Sequence, residues 1–236
     1  MIAVLVNVCT VLCGSLLGIL LRNRLRPQLQ EALMKALGLC TVVIGISSAI
    51  ASANILCVIV CMVLGTAIGE WLRIDDGIEH AGDYLKGKLL HGKGKESRFT
   101  EGFVSACVLF CIGSMTIVGS LEAGINHNYS IIYAKSTMDF VSSMAFGAAM
   151  GIGVTCSAAF VLVFQGLLTL LASWVGPALS TQVVTEMSAV GGVTLIGLAL
   201  NMLGAVRERI KVANMLPAIF LPIVYFPIAN LLSALF

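Results

Sequence analysis

The chain alternates between long apolar stretches and short polar segments. The apolar stretches, rich in Val, Leu, Ile, Ala and Gly, cover residues 2–21, 33–51, 54–72, 102–120, 136–155, 157–174, 187–205 and 215–235. A helix that crosses a membrane needs about 20 consecutive apolar residues. The pattern therefore predicts an all-α bundle of about eight transmembrane helices. The fifth and sixth stretches are separated by so little polar sequence that they form either two helices joined by a tight turn or a broken helix followed by another.

Composition excludes the common soluble classes. Of the 236 residues, 58% are hydrophobic and only 11% are charged, whereas about 25% of residues are charged in soluble domains. Too few charges are present to cover a soluble surface, so a soluble enzyme, a disordered chain and a nucleic-acid-binding protein are excluded. Residues 1–236 are expected to form a single integral membrane domain, with residues 73–101 as its long cytosolic loop.

The positions of the basic residues predict the orientation. Every Lys and Arg except Lys135 follows the first, third or seventh apolar stretch, and cytosolic loops collect such residues. With eight crossings, all three loops lie in the cytosol and both termini lie outside it.

Two apolar stretches have similar sequences. Ala36-Leu37-Gly38 with Thr41 in the second resembles Ala189-Val190-Gly191 with Thr194 in the seventh. The charge rule gives these two stretches opposite directions, so the first three and last three stretches could form an inverted repeat, a common plan for transporters. Chance similarity between two membrane helices is the alternative.

The strongest candidates for function are ionisable residues inside an apolar stretch, because charges at membrane depth are costly and are functional candidates by default. Asp139 lies in the fifth stretch and Lys135 lies four residues earlier, on the same helix face, with Ser136 beside it. The pair could bind an ion, proton or substrate, or it could be a salt bridge that anchors the helix at the membrane entrance.

The fourth stretch contains a hydroxyl-rich segment with two Gly-Ser pairs. A helix that breaks here would expose backbone to a wet cavity, which membranes tolerate only inside protein. Its pathway candidates are Ser114, Thr116, Ser120 and Glu122. Glu122 could face Lys135 or Asp139 across the outer mouth, or the segment could be an ordinary capped helix end.

Four further polar residues are candidates for gating or for bonds between helices. Glu70 at the end of the third stretch is either an inner gate or an interfacial charge paired with Arg73. The other three can bond across helices or contact a ligand: Asn7, Gln165 and Asn214.

Glycine pairs four residues apart let helices pack closely. Three such pairs occur, Gly14/Gly18, Gly65/Gly69 and Gly147/Gly151, and they predict tight packing within the bundle or contacts between copies of the chain. The eight cysteines all lie in apolar stretches and act as small apolar residues. Neither a metal site nor a cofactor is expected.

Taken together, these segments resemble a bacterial inner-membrane family known as domain of unknown function 554. The resemblance covers essentially the whole chain and is most specific in the fourth and fifth stretches. The segments that carry it are Gly14-Ser15-Leu16-Leu17-Gly18 with Asn7, Gly65-Thr66-Ala67-Ile68-Gly69-Glu70, Gly113–Gly124, Lys135–Phe140, Ser188–Gly192 and Asn214–Ala218. It implies a transport protein of the bacterial inner membrane, without an assigned substrate.

The leading hypothesis is a secondary transporter of a small solute or ion, coupled to a proton or another cation. The alternatives are a passive channel, oligomeric through the glycine faces, and a membrane scaffold that transports nothing. An enzyme is not expected, because no HExxH or GxSxG motif is present and the three histidines are placed in loops.

Overall fold

A computed structural model shows a chain built from helices. It describes residues 1–22, 26–90, 99–111, 114–125, 127–175 and 179–235, and these ranges contain no β-strand. The all-helical prediction is thereby confirmed. In chain order the helices are α1 (Ile2–Arg22), α2 (Pro27–Ala49), α3 (Ile55–Leu72), α4 (Ile74–Leu90), α5 (Phe99–Cys111), α6 (Ser114–Ile125), α7 (Ser130–Met150), α8 (Ile152–Val175), α9 (Thr181–Leu203), a 3₁₀ helix (Val212–Phe220) and α10 (Pro222–Leu235).

Within the described ranges, five helices are long and apolar enough to cross a membrane by themselves: α1, α2, α3, α8 and α9. Seven crossings result if α5 with α6, and the 3₁₀ helix with α10, each count as one bent span. The predicted count of eight is not confirmed. The remaining stretch, α7, has 21 residues but carries two charges and several hydroxyls.

Glycines set the closest helix contacts and reveal the relative helix directions. Gly14 of α1 lies against Phe140 of α7, and Gly18 lies against Met144 and Ala148. A later residue of α1 contacts a later residue of α7, so the two helices run parallel. In the same way Gly153 of α8 lies against Phe99 of α5 and Gly124 of α6 lies against Thr169 of α8, so α8 runs parallel to the α5–α6 pair.

Two other pairs run antiparallel. Gly38 of α2 meets Leu203 of α9, whereas Gly45 meets Gly192. Gly65 and Gly69 of α3 meet Ala218 and Asn214 of the 3₁₀ helix in reverse order. All four directions are those of a path that crosses the membrane at each of the eight stretches in turn. The α2–α9 direction also suits the inverted repeat, which itself is not confirmed.

The structure resolves the relation between the fifth and sixth stretches. They are two helices, α7 and α8, that meet at Gly151. Gly151 has a φ of 85°, a conformation that costs glycine little because it lacks a Cβ. The tight-turn alternative is therefore correct.

Two sequence-based expectations need correction. Residues 74–90, expected to be loop, form α4, so His80 is helical rather than in a loop. The eighth stretch was expected to be one helix with Pro217 near its first turn. Instead Pro217 lies inside the 3₁₀ helix, and α10 follows at an angle of 42°. A proline ring and its missing N–H disfavour regular α-helix at this point.

Large apolar side chains cover the outside of the bundle. Exposed examples on four of the long helices are Leu20, Val43, Ile59 and Leu167. Trp71 and Trp174, each near the end of its helix, are 82% and 85% exposed. Tryptophan concentrates at membrane–water interfaces, so the surface is that of a membrane protein.

Candidate functional site

Lys135 and Asp139 form an ion pair inside the bundle. They lie four residues apart on α7, and the Lys135 ammonium contacts Oδ2 of Asp139. Both residues are buried, with 6% and 7% of their surfaces exposed. Asp139 and Lys135 are therefore largely shielded from solvent, and the pairing offsets the cost of burying each charge.

Two amides from other helices complete the cluster. Asn7 of α1 donates its side-chain N–H to Oδ2 of Asp139 at 3.1 Å and to Oε1 of Gln165 in α8 at 2.9 Å. Both amides are fully buried. Asn7 therefore contacts Asp139 directly, and Gln165 is linked to Asp139 through Asn7. The sequence had indicated only secondary polar roles for both amides.

The cluster has unused hydrogen-bonding capacity. Both described contacts to Asp139 fall on Oδ2, and within the described ranges Oδ1 accepts no hydrogen bond. The Asn7 Oδ1 and Gln165 Nε2 atoms are likewise buried without a partner in that part of the chain. Buried polar atoms are nearly always paired with protein or ordered water, so this cluster is suited to hold water or a polar ligand.

A pocket of about 210 Å³ opens beside the ion pair. Residues of α2, α5, α6, α7 and α9 line it, including Lys135, Asp139 and Thr116. Most of its other lining side chains are apolar, among them Phe110 and Phe146, whose ring centres lie 6.5 Å apart. The pocket thus combines one charged wall with a mainly apolar lining.

The broken helix predicted in the fourth stretch lies at this pocket. The axes of α5 and α6 differ by 57°, and the Thr116 hydroxyl of α6 donates to the Phe110 carbonyl of α5 at 3.2 Å. This bond satisfies a carbonyl at the end of α5, where the regular pattern of backbone bonds stops. Thr116 therefore supports the break and borders the pocket.

The other candidates of this region are placed differently. Ser120 is buried with no partner for its hydroxyl in the described ranges, and Ser136 donates back to the Ile132 carbonyl of its own helix. Ser114 begins α6, but its side chain, like residues 112 and 113 before it, lies outside the described part of the chain. Glu122 accepts from Asn128 at 3.5 Å and does not line the pocket.

A second polar cluster joins α3, α4 and the 3₁₀ helix. Asn214 donates to Glu70 at 2.6 Å and accepts from the Asp75 backbone N–H at 2.6 Å. Glu70 thus contacts Asn214, a partner that differs from the predicted Arg73. Asp75 is 1% exposed and pairs with Arg209 at 3.2 Å. Both Glu70 and Asn214 lie away from the pocket beside Asp139.

An exposed ion pair borders this second cluster. Lys211 donates to Asp76 at 3.0 Å. That hydrogen bond lowers the pKa of Asp76 below its usual value, with smaller contributions from the charges of Arg73 and His80. The same bond to Asp76 raises the pKa of Lys211.

Sequence reasoning missed Glu186. This residue of α9 is fully buried and clamps the turn between α2 and α3. Its carboxylate accepts from the Ser52 hydroxyl at 2.6 Å and from the backbone N–H groups of Ala53 and Asn54 at 2.8 and 3.0 Å. A carboxylate one residue before the apolar stretch 187–205 was the available signal.

Metal-binding chemistry has little support in the described part of the chain. No group of three or more His, Cys, Asp or Glu residues there is placed to hold a metal ion. Cys57 and Cys61 are buried, with their sulfur atoms 3.8 Å apart. Two neighbouring thiols one helical turn apart are ordinary packing.

Comparisons with known proteins agree with the membrane character of the fold. A family model described as "Protein of unknown function (DUF554)" matches residues 2–227. The chain is 30% identical over 138 residues to the uncharacterized membrane protein YdfK of Bacillus subtilis (strain 168), covering 58% of this chain and 59% of that relative's length. It is 31% identical over 160 residues to the uncharacterized protein YqgA of Escherichia coli (strain K12), covering 67% of each chain. No solved structure matches.

Proposed function

We propose that this chain, which belongs to the DUF554 family of proteins, moves a small solute or ion across a membrane. The observation that carries the proposal is the buried Lys135–Asp139 pair at the wall of a 210 Å³ pocket. Ionisable residues at membrane depth usually face a bundle interior or wet cavity and mark substrate or ion pathways. The membrane is the bacterial inner membrane, with both termini outside the cytosol.

The broken helix supports the same interpretation. Discontinuous helices at membrane depth expose backbone groups where solutes bind in several transporter folds. Here α5 and α6 meet beside the ion pair, and the Thr116 hydroxyl donates to a carbonyl at the end of α5. The solute path therefore includes the Lys135–Asp139 wall and the start of α6.

Transport is proposed to be secondary, with proton or cation coupling through Asp139. This carboxylate can exchange its bond to Lys135 for a bond to a proton or a cation. Coupling predicts that a pH gradient alone changes the solute flux. A passive channel would instead conduct without dependence on the counter-ion.

The proposal is tested with purified protein in liposomes on a solid-supported membrane. Cations, amino acids and organic acids are applied with and without a pH gradient, and tracer uptake is measured in parallel to detect electroneutral transport. The proposal predicts saturable flux of at least one solute, absent from protein-free liposomes. No flux in either assay, with correctly folded protein, would overturn transport and favour a scaffold function.

A further inference from the structure

We propose that the pocket beside Lys135 and Asp139 binds a small zwitterion with an apolar side chain, such as an aliphatic α-amino acid. This inference rests on the proposed function and names the class of solute. It is carried by the juxtaposition of one ammonium and one carboxylate on the same wall of an otherwise mainly apolar pocket.

Charge balance favours a zwitterion over a lone ion as the bound solute. The Lys135–Asp139 pair is neutral as a unit, and it is the charged part of the described pocket lining. A lone cation or anion would leave the buried site with a net charge, which is costly in a low-dielectric interior. A zwitterion adds no net charge, because its carboxylate pairs with Lys135 while its ammonium pairs with Asp139.

Both charged side chains have capacity left for such a ligand. The Asp139 Oδ1 accepts no hydrogen bond within the described ranges, since Asn7 and Lys135 both contact Oδ2. The Lys135 ammonium has three N–H donors, and its one described hydrogen bond is to Asp139. A zwitterion can therefore bind to both groups while Asn7 still donates to Oδ2 and holds the carboxylate in place.

The spacing of the pair suits a small dipolar group. Residues four apart on a helix are about 6 Å apart along its axis, and both side chains extend from the same face of α7. The ammonium and carboxylate of an α-amino acid are attached to one carbon atom, so they can bind side by side to Oδ1 of Asp139 and to the remaining N–H donors of Lys135, whose ends are in contact.

The size and lining of the pocket indicate what kind of side chain the zwitterion carries. The 210 Å³ of the pocket is below the roughly 300–1,000 Å³ of sites for drug-sized molecules. Its other walls are largely aliphatic and aromatic, with Leu37, Ile44, Phe110, Phe146 and Leu195 among them. Burying an apolar side chain there is favourable, whereas a charged side chain would lack a partner.

The test measures binding of L-leucine to the purified full chain by isothermal titration calorimetry. Two analogues isolate the charges: 4-methylpentanoate lacks the ammonium, and isopentylamine lacks the carboxylate. We expect saturable binding of L-leucine and at least about tenfold weaker binding of each analogue, because each loses a charge-assisted hydrogen bond. Equal binding of all three molecules, or no binding of L-leucine, L-valine or L-methionine, would overturn the inference.

Variants distinguish a ligand site from a structural ion pair. The double substitution Lys135→Met with Asp139→Asn removes both charges and leaves neither one unpaired, so the fold is expected to survive while L-leucine binding is lost. Glu31→Gln is the matched control, because Glu31 and Lys35 form an exposed pair with the same spacing. Unchanged binding in the double variant would refute the site.

Flux measurements separate this inference from the proposed function. If an inorganic cation moves through the protein in liposomes but amino acids neither bind nor move, transport stands and the zwitterion class is wrong. If no solute moves at all, both fail. Flux of L-leucine that excess L-valine inhibits, but 4-methylpentanoate does not, supports both.

Discussion

Asn7 of α1 donates its side-chain amide to the Asp139 carboxylate of α7 across 3.1 Å. The two residues are 132 positions apart in the chain, and both are buried. The contact forms because α1 and α7 run parallel and pack closely through Gly14 and Gly18. The first helix thereby positions the carboxylate that we place on the solute path.

Replacing Asn7 with Leu should therefore weaken both the fold and transport. The change keeps the branching of the side chain but removes one hydrogen bond to a charged group, which is worth about 1.5–3 kcal/mol. It also leaves Oε1 of Gln165 without its donor. Unfolding in denaturant and solute flux are measured together, with Thr10→Val as the control. Thr10 lies on the same helix, and in the described ranges its hydroxyl donates only to the backbone carbonyl of Asn7, not to Asp139 or Gln165, so equal losses in the two variants would contradict a specific role for the Asn7 side chain.

The close packing of α1 against α7 predicts that a side chain larger than that of glycine at position 147 would clash with α1. A Cβ at this position would overlap the Ser15 backbone, whereas one at Gly166 would meet only the end of Met1 at 3.6 Å. Gly147→Ala should destabilise the protein by about 1–3 kcal/mol, the usual effect of overpacking, and Gly166→Ala should have little effect. Unfolding in SDS or urea measures the difference. A Gly147→Ala protein as stable as wild type would contradict the close packing of α1 on α7.

Much of the fold was predictable from hydropathy, because a segment that crosses lipid as a helix must form all its backbone hydrogen bonds within itself. The start of α3, the break in the fourth stretch and the separation of α7 from α8 follow signals in the chain, whereas α2 begins at Pro27, six residues before the predicted start. The amphipathic α4 was expected to be loop, since its many polar residues and glycines obscured its helical periodicity. The irregular 3₁₀ segment around Pro217 was also missed.

The site was predictable only in part. Lys135 and Asp139 were candidates because charges in an apolar stretch are conspicuous, and the structure shows them buried as a pair. The role of Asn7 and Gln165 depends on which helices are neighbours, and sequence spacing does not contain that information. Glu186 was overlooked for the same reason, since its partners lie in a turn more than a hundred residues away.

Glu186 should act as a clamp between α9 and the α2–α3 turn. Glu186→Ala removes the acceptor of one hydroxyl and two backbone N–H groups, so the start of α3 should loosen. Cys57, which is fully buried near this point, should then react faster with a maleimide, with the labelled residue identified by mass spectrometry. Thr185→Ala, at a half-buried neighbouring position whose hydroxyl donates to the Thr181 carbonyl of its own helix, should leave labelling unchanged. Unaltered protection of Cys57 in Glu186→Ala would show that the clamp does not hold this turn.

The Asp76–Lys211 pair should make stability depend on pH at its two extremes. The pKa of Asp76 is lowered in the folded protein, so its contribution is present above the usual value of 3.8 and is lost as the pH falls through the lowered pKa. The pKa of Lys211 is raised, so its contribution is present below 10.5 and is lost as the pH rises through the raised pKa. The difference in Tm between wild type and Asp76→Asn should therefore be constant near neutral pH and shrink at both ends. A difference independent of pH across this range would contradict the pairing.

The most direct test of the account compares flux through wild type, Asp139→Asn and Glu31→Gln in liposomes, for whichever solute the wild type moves. Each protein is reconstituted at equal density after its fold has been checked by size-exclusion chromatography and thermal unfolding. We predict that Asp139→Asn reduces the flux by about tenfold or more, because the neutral side chain leaves Lys135 as an uncompensated charge on the path, and that Glu31→Gln transports normally. Wild-type flux in Asp139→Asn would place the path elsewhere and contradict the central claim.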